Sequence, residues 1–386
     1  MERNEKENPK YLSRVGLEME NKMILHIMTD NIFSKDFMEY INQSYDSQNH
    51  LFVVYNANPE KFKFKYDLTF RNVYLFGRSI DFNELKSLCV CANCILLHSL
   101  FIKYEFFKIF IFHKDICRKC IPIFWGGDLY ENEFLHIKDK IKHSIRTYFT
   151  KYLINYSKGI GYLTEQDFIC FKRRYKLNKE GYSLIYSMQY LNKEYWSLLE
   201  KLRKEKLGLE KIRIQIGHSC DSSLNHVKVL NDISNCNDKS IEVYMPLSYG
   251  DLKYQSQVID IGKDLYKEHF HPITEYMDMI QYTQLLSTMD VLIMYTDRQI
   301  GLGNIYTSVL LNTVVCVKKK SPLSIFLSQE IGLQLMYYDE EAELSTFDTS
   351  KIDKEHNIKL MKDYLSKKNF HEKWDPLLES EVVYES

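Results

Sequence analysis

The sequence predicts an α/β protein with two Rossmann-like domains that face a central cleft. Its 386 residues exceed the length at which a single hydrophobic core usually keeps growing. Short apolar runs alternate with helical patterns, which is typical of parallel βαβ units rather than of a β-sandwich. The alternation occurs in two blocks, and a polar stretch at residues 190–211 separates them. We therefore expect two domains of similar size.

The first block, residues 23–190, follows a charged extension at residues 1–22. Each apolar run in it is short and is followed by turn-forming residues, as expected for strands that are buried on both faces. A helix is expected at residues 34–45. The predicted strands are residues 23–28, 51–55, 73–76, 94–98 and 121–125.

The second block is residues 191–350, and a charged amphipathic segment at residues 351–386 is expected to be helical. Because ligands in open α/β sheets bind beyond the carboxyl ends of the strands, the loops that follow the strands are where a site is expected. The predicted strands are residues 212–217, 241–247, 290–296 and 313–317, and the predicted helices are residues 224–233, 252–269 and 276–288.

The composition argues against several classes of protein. The formal net charge is -1, so there is no basic field that would favour nucleic acid. The longest apolar run, residues 95–112, is interrupted by charged side chains and does not predict a membrane span. The N-terminal residues lack the apolar segment of a secretion signal, and nine cysteines without one imply a reducing compartment. We expect a cytoplasmic protein.

A polar turn follows the first strand of the second block. Gly217 ends the strand, and Ser219, Asp221 and Asn225 crowd the turn before a helix begins. Free N–H groups at a helix start and serine hydroxyls suit a pyrophosphate. The same residues would also serve as an ordinary helix cap, because Ser and Asp are common N-caps. Both interpretations stay open.

A second turn, after the strand at residues 290–296, contains two glycines. Gly301 and Gly303 let backbone approach a ligand closely, and Arg298 can complement phosphate charge. Two glycines alone are weak evidence for a nucleotide. They gain weight because both turns lie in one block, where both can face one donor molecule. The polar side chains of this turn are Arg298, Gln299 and Asn304.

Aromatic residues flank two glycines and a carboxylate after the last strand of the first block. Aromatic faces stack on sugar rings, and a carboxylate can act as a base or hold sugar hydroxyls. The alternative is a tight turn in which Asp128 caps a helix. The residues concerned are Trp125, Gly126, Gly127, Asp128 and Tyr130.

Three further features of the first block allow two interpretations each. His98, at the end of an apolar strand, is either a catalytic base or a buried core residue. Two C-x-x-C pairs begin at Cys91 and Cys117 with zinc-ribbon spacing, but residues 89–97 read as a buried strand, so we favour buried thiols over zinc. Residues 99–113 mix aromatic and basic side chains, which suits either an anionic membrane surface or a packed helix.

Taken in order, these motifs resemble the 4-alpha-L-fucosyltransferase family, the enterobacterial-type TDP-N-acetylfucosamine:lipid II N-acetylfucosaminyltransferases. The resemblance spans about residues 23–322. Gly127 stands where the family has alanine, and Cys220 where it has glycine. The matching residues are His98, Trp125, Gly126, Asp128, Leu129, Tyr130, Thr164, Asp167, Gly217, Ser219, Asp221, Ser223, Asn225, His226, Val243, Pro246, Tyr249, Arg298, Gln299, Gly301 and Gly303.

The resemblance implies a GT-B fold, a nucleotide-diphosphate sugar donor that is TDP-linked, and a polyprenyl-diphosphate-linked glycan acceptor at the inner face of the cell membrane. It implies no metal or other cofactor, and the sequence contains no D-x-D metal motif. Asp128 or His98 would orient or deprotonate the acceptor hydroxyl. The donor would contact Gly217, Ser219, Asp221, Asn225, Tyr249, Arg298, Gln299, Gly301, Gly303 and Asn304, and the acceptor Trp125, Gly126, Gly127 and Tyr130.

Two other classes of protein remain as alternatives. A nucleotide-sugar epimerase of GT-B-like fold would turn over the donor without an acceptor. A non-catalytic nucleotide- or glycan-binding subunit would bind nucleotide and consume none. Polar residues in both blocks favour the transferase, since a binding module needs only one site.

Overall fold

The computed structural model describes residues 23–55, 70–76, 81–100, 104–127, 137–206, 211–234, 241–338 and 347–379. The chain divides into two compact units. The first unit comprises Met1–Gln189 and Phe370–Ser386, and the second comprises Tyr190–Asn369. The expected domain limits stay a prediction, and the units differ from them at the C-terminal end, where residues 351–386 are shared between the two units.

The first unit contains a parallel five-stranded sheet with the order β3-β2-β1-β4-β5. Its strands are β1 (Ile24–Thr29), β2 (His50–Tyr55), β3 (Val73–Phe76), β4 (Cys94–Leu97) and β5 (Cys120–Pro122). The short parallel pair β6 (Ile160–Tyr162) and β7 (Gly181–Ser183) continues from a bridge between Ile123 and Gly161. Every residue of β2 and β4 is buried, which explains why both strands are apolar except at His50.

The helices of the first unit lie between these strands and at the C-terminal end. They are α1 (Ile32–Ser44), α2 (Phe82–Cys91), α3 (Tyr104–Phe112), α4 (Lys114–Cys117), α5 (Ile137–Tyr156) and α6 (Glu165–Tyr175). The helix α14 (Lys367–Leu378) enters this unit from Phe370 onward because Trp374 is fully buried in it and donates a 2.7 Å hydrogen bond to the carbonyl of Ile185.

The reading of residues 89–97 as one buried strand is wrong. Cys89 and Cys91 belong to α2, and the strand begins only at Cys94. The helix is capped by Asp81, whose carboxylate accepts hydrogen bonds from the N–H groups of Asn83 and Glu84. Among the described residues, no group of three or more potential ligand side chains is arranged to hold a metal ion.

The second unit contains a parallel six-stranded sheet with the order β10-β9-β8-β11-β12-β13. The chain passes from β8 outward to one side and then returns to the other side of β8, so the strand order reverses between β8 and β11. This is the topological switch point at which ligands of such sheets bind. The strands are β8 (Ile212–Ile216), β9 (Ile241–Pro246), β10 (Phe270–Ile273), β11 (Val291–Met294), β12 (Val314–Lys318) and β13 (Met336–Tyr338).

The helices of the second unit follow the strands. They are α7 (Lys193–Glu205), α8 (His226–Ser234), α9 (Leu252–Tyr266), α10 (Met279–Ser287), α11 (Leu302–Leu310), α12 (Pro322–Ile325) and α13 (Lys354–Tyr364). One core cluster combines β8, β9 and β11 with the apolar face of α8. None of the helices in the described part of the chain has the length and apolar character that crossing a membrane requires.

Candidate functional site

The two glycine-containing turns predicted from the sequence lie side by side at the switch point of the second sheet. One follows β8 and the other follows β11, and these strands are neighbours. The N–H of Gly217 donates a 2.9 Å hydrogen bond to the carbonyl of Ile293, which continues the pairing to the very start of the turns. The carboxyl ends of the two strands therefore present both turns to the same edge.

Glycine is required at two positions of these turns. Gly217 has φ +67°, and a Cβ there would lie 2.5 Å from Nε2 of His226. Gly301 has φ +70°, and a Cβ there would lie 2.8 Å from Nδ1 of His218. Left-handed backbone is unfavourable for residues with a Cβ, and both spaces are already filled. These glycines allow two histidines to pack against the turns.

Arg298 connects the two turns through an ion pair with Asp221. Its Nη2 lies 2.5 Å from Oδ2 of Asp221, and its Nε donates a 3.0 Å hydrogen bond to Oγ of Ser223. Asp221 also accepts hydrogen bonds from the N–H and hydroxyl of Ser223, at 2.9 and 2.6 Å. The sequence analysis assigned Asp221 and Arg298 separately to the donor; the structure places them against each other. Asp221 thus fixes the direction of the guanidinium.

The Asp221 carboxylate is held ionised by this arrangement. Burial by itself would raise its pKa, but the hydrogen bonds from Ser223 and the charge of Arg298 outweigh burial and lower the pKa below the ordinary value. The side chain of Arg298 keeps 19% of its surface exposed. A charged guanidinium with a fixed direction and an open face suits a phosphate group.

The N-terminus of α11 lies in the second turn. Gly301 is its N-cap and makes no side-chain capping bond, so first-turn N–H groups remain available. Nothing lies within 4 Å of where a Cβ on Gly303 would be, which leaves the first helical turn open. Gln299 is only 6% exposed, yet its Oε1 has no hydrogen-bond partner, and the buried Oδ1 of Asn304 also has none. Buried polar atoms without partners are rare, and here they surround a free helix start.

Two buried histidines sit beneath these turns. Nδ1 of His218 and both ring nitrogens of His226 have no hydrogen-bond partner. Burial lowers the pKa of each imidazole to about 4, so both are neutral near pH 7. The sequence analysis did not place either one in the site. The sequence signals were the position of His218 directly after Gly217 and the place of His226 among the residues that carry the family resemblance.

The loop after β9 is joined to the turn after β8. The N–H of Cys220 donates to the carbonyl of Tyr249 at 2.8 Å, and the N–H of Asp251 donates to the carbonyl of Cys220 at 3.1 Å. Tyr249 is 57% exposed, and its ring lies 6.3 Å from the ring of His218. This pairing requires glycine at position 250, because a Cβ there would lie 2.4 Å from the Cys220 carbonyl oxygen.

The remaining donor candidates of the second unit have different surroundings. Asn225 has left-handed backbone, with φ +51°, and its Nδ2 donates to the carbonyls of Ser223 and Tyr295 at 3.1 and 3.3 Å. It therefore holds the two turns together from within. Ser219 is buried in the turn after β8.

In the first unit, His98 is the end of a chain of three buried histidines. Its Nε2 lies 3.0 Å from Nδ1 of His26, and Nε2 of His26 lies 3.0 Å from Nδ1 of His50. Nδ1 of His98 lies 2.6 Å from the hydroxyl of Tyr186. The chain crosses β2, β1 and the end of β4. Both nitrogens of His98 are thus engaged with protein groups.

Burial keeps these three imidazoles neutral. It lowers the pKa of His98 to about 3 and that of His50 to about 4, and that of His26 lies well below its ordinary value. Each neutral ring has one donor and one acceptor, so all three must be the same tautomer for every contact to be a hydrogen bond. The sequence analysis missed His26, His50 and Tyr186; a histidine within the apolar strand β1 was the available signal.

Trp125 lies over the end of this chain. Its Nε1 donates a 2.6 Å hydrogen bond to the carbonyl of His98, and its ring lies 4.3 Å from that of Tyr186 and 5.3 Å from that of Phe33. Phe33 is 37% exposed and Trp125 is half-buried. The next residue, Gly126, has φ +79°. Gly127 is helical, and the predicted residues Asp128 and Tyr130 lie outside the described residues.

Several solved structures share this fold at low sequence identity. A glycosyltransferase from Rickettsia africae is 10% identical with a TM-score of 0.60, and the alignment covers 93% of this chain and 100% of that one. HepE from Anabaena, in complex with UDP-glucose, is 11% identical with a TM-score of 0.59, over 91% and 95% of the two chains. Sucrose-phosphate synthase from Thermosynechococcus elongatus is 9% identical with a TM-score of 0.57, over 92% and 96%. These similarities confirm the GT-B fold.

No curated protein sequence matches this chain. A family model does match it over residues 91–381, and its description is 4-alpha-L-fucosyltransferase, glycosyl transferase group 56. The matched range includes both glycine-containing turns of the second unit and the tryptophan turn of the first. The protein is a glycosyltransferase and belongs to the 4-alpha-L-fucosyltransferase family.

Proposed function

We propose that this glycosyltransferase moves a deoxyamino or acetamido sugar from a TDP-linked donor to a polyprenyl-diphosphate-linked glycan in surface polysaccharide synthesis. The observation that carries the donor assignment is the group of unpartnered buried polar atoms around the free N-terminus of α11. A diphosphate supplies the charge that a helix start and Arg298 favour. The solved structure of HepE with UDP-glucose supports a nucleotide-sugar donor for this fold.

In this proposal the second unit binds the donor. Arg298, oriented by Asp221, and the first N–H groups of α11 bind the diphosphate and stabilise its charge as it leaves. The side-chain oxygens of Gln299 and Asn304 have no protein partner, so they can accept hydrogen bonds from hydroxyl or amide groups of the nucleotide sugar. Tyr249 is exposed and offers its ring to the nucleoside. Ser219 and Asn225 shape the turn, Gly217 and Gly301 allow the left-handed backbone of the two turns, and the open space at Gly303 leaves room for the ligand.

The first unit binds the acceptor. The half-buried ring of Trp125 would stack on a sugar ring, and we assign Gly126, Gly127 and Tyr130 to acceptor binding as well. In the transfer step the acceptor oxygen bonds to the anomeric carbon, and the bond from that carbon to the diphosphate breaks, leaving its electron pair on the diphosphate. The acceptor proton passes to a base, which we assign to Asp128 or His98. For His98 the proton would have to pass through Tyr186, because both imidazole nitrogens already have partners.

Exposed apolar side chains on the first unit support peripheral contact with the inner face of the cell membrane. Phe112 at the end of α3 is 74% exposed, and Tyr148 and Ile145 on α5 are 67% and 46% exposed. The helices α3 and α5 are packed together, as shown by the hydrogen bond from the Tyr152 hydroxyl to the Ile111 carbonyl. A lipid-linked acceptor would be presented at such a surface.

Thermal unfolding with a panel of nucleotides tests the donor assignment. A ligand that binds only the folded state at about 100 times its Kd stabilises it by about 2.7 kcal/mol, which a melting scan resolves. We expect stabilisation by TDP or UDP that does not depend on magnesium. Absence of any shift with every nucleoside diphosphate would reject the proposal.

Donor turnover separates this function from the alternatives. The transferase consumes nucleotide sugar only in the presence of a lipid-linked acceptor, apart from slow hydrolysis. An epimerase would convert the donor alone, and a binding subunit would stabilise with nucleotide and consume none under either condition. Replacing Asp128 with Asn, with full transfer activity retained, would remove that carboxylate from the role of base.

A further inference from the structure

His218 lies within the proposed donor site but has no role in the function argued so far. It follows Gly217 in the turn after β8, and it is 8% exposed. Its Nδ1 has no hydrogen-bond partner and lies 2.8 Å from where a Cβ on Gly301, the N-cap of α11, would be. An imidazole whose Nδ1 has no partner is therefore packed directly against the helix start that the diphosphate is proposed to approach.

Charged and titratable groups from four elements face this imidazole. Asp221 in the same turn favours its cationic form, whereas Arg298 from the turn after β11 and His226 at the start of α8 oppose it. The phenol ring of Tyr249, from the loop after β9, lies 6.3 Å away. Without ligand, burial dominates and holds the pKa of His218 at about 4.

We propose that His218 takes up a proton when a nucleotide sugar binds and then donates a hydrogen bond to the diphosphate as an imidazolium. This inference rests on the proposed function, because it takes the diphosphate to lie at the start of α11. His218 would be a further binding residue of the donor site. It would also add a positive charge beside the leaving group, at the place where negative charge grows during transfer.

The direction of the effect follows from electrostatics. A bound diphosphate brings two negative charges next to the imidazole and offsets the charge of Arg298, and both changes favour the cation. The free protein has His218 almost fully neutral at pH 6. If binding raises the pKa to or above the ordinary value of about 6.5, about 0.75 to one proton is taken up per bound ligand at pH 6.

Isothermal titration calorimetry in two buffers measures this proton directly. The protein is titrated with dTDP-glucose and UDP-glucose at pH 6.0 in MES and in Bis-Tris, whose ionisation enthalpies differ. These ligands are suitable because their diphosphates have no group that titrates near neutral pH. The difference in observed heat between the buffers gives the number of protons taken up on binding.

Variants assign the proton. We expect uptake in the wild-type protein, its loss in His218→Gln with binding weakened about tenfold as for one lost hydrogen bond to a charged group, and normal uptake in His271→Gln. His271 is the matched control because its Nε2 is also buried without a partner, but it lies on β10, away from the turns. His218→Asn serves as a second variant if His218→Gln does not fold.

Two outcomes would overturn this inference alone. They are wild-type binding heats that do not depend on the buffer, and uptake that persists after substitution of His218. No binding heat with either nucleotide sugar would instead contradict the proposed donor site, and this inference would fail with it.

Discussion

The two sheets have the same strand order around their switch points, but their buried histidines have different hydrogen-bond surroundings. In the first unit His26, His50 and His98 are hydrogen-bonded to one another, and the chain ends on Tyr186. In the second unit the ring nitrogens of His226 and Nδ1 of His218 have no partner.

Leaving buried polar atoms unpaired costs free energy, so the comparison separates two uses of the same residue type. In the first unit the three histidines are satisfied by one another and by Tyr186 without a ligand. The second contains groups whose cost of burial would be offset only when something polar binds. Each prediction below breaks or sharpens this contrast.

The largest effect is expected from removing one imidazole at each edge. His26→Leu leaves Nε2 of His98 and Nδ1 of His50 without partners and should destabilise the first unit by about 2–4 kcal/mol. His226→Leu removes two nitrogens that have no partner and should change stability by less than about 0.5 kcal/mol or increase it. Hydrogen exchange measured by mass spectrometry reports the two units separately. Equal destabilisation by both variants would contradict the contrast.

The next effect concerns ligand binding at the second edge. Arg298→Ala should weaken binding of UDP or TDP about 10- to 100-fold, the usual consequence of losing hydrogen bonds to a charged group. Arg213→Ala is the matched control. Arg213 pairs with Glu242 and lies at the beginning of β8, whereas the turn that contacts Arg298 follows the end of that strand. Calorimetric titration with each nucleotide checks this. Equal losses in the two variants would show that Arg298 does not contact the ligand.

Acid should destabilise the first edge through its neutral histidines. Burial lowers the pKa of His98 to about 3 and of His50 to about 4, below about 6.5 in the unfolded chain. Between these values the unfolded state binds more protons, so the free energy of unfolding falls as pH falls below 6.5, and this loss ends below the folded pKa.

The expected loss approaches about 1.4 kcal/mol per pH unit for each such histidine. His50→Gln keeps a polar partner for His26 but cannot titrate, so it should flatten the dependence of the unfolding midpoint between pH 6.5 and 5. Two of the three tryptophans, Trp125 and Trp374, belong to the first unit, so tryptophan fluorescence follows it. If the unfolding midpoint of His50→Gln depends on pH as strongly as that of the wild-type protein, His50 does not contribute to the acid destabilisation.

The smallest effect comes from two glycines of the second edge. Gly217→Ala should destabilise by about 1 kcal/mol or more, because the backbone is left-handed and the Cβ would lie 2.5 Å from His226. Gly303→Ala should leave the fold as stable or stabilise it by up to about 1 kcal/mol, since Ala is the better helix former and nothing lies within 4 Å.

Nucleotide binding should nevertheless weaken in Gly303→Ala, because the added methyl group occupies the open helix start. Thermal melting with and without TDP measures both changes. Undiminished stabilisation of Gly303→Ala by nucleotide would show that the ligand does not approach this turn of α11.

Much of the fold could be predicted from the sequence because buried parallel strands read as short apolar runs. The predicted strand at residues 212–217 corresponds to β8, and the predicted helix at residues 276–288 contains α10. β10 and β13 were missed, since β10 includes His271 and Pro272 and β13 has three residues. Such edge strands carry too few apolar residues for a pattern to stand out.

The candidate site was only partly predictable. The sequence located the turns after β8 and β11, because glycines and polar residues interrupt the apolar runs there. It gave no indication that Asp221 pairs with Arg298, 77 residues away, or that His98 pairs with His26, 72 residues away. It also could not show which histidines lack partners, because the hydrogen bonds of a buried imidazole depend on neighbours from other strands.

The sequence by itself determined the alternation of strands and helices, the two blocks and the places where the chain needs glycine. These depend on local periodicity and on backbone freedom, which each residue carries with it. Only the tertiary structure decided the strand order, and with it the meeting of β8 and β11 and the crossing of three histidines over the first sheet. Periodicity specifies which face of a strand is buried, but not which strand lies beside it.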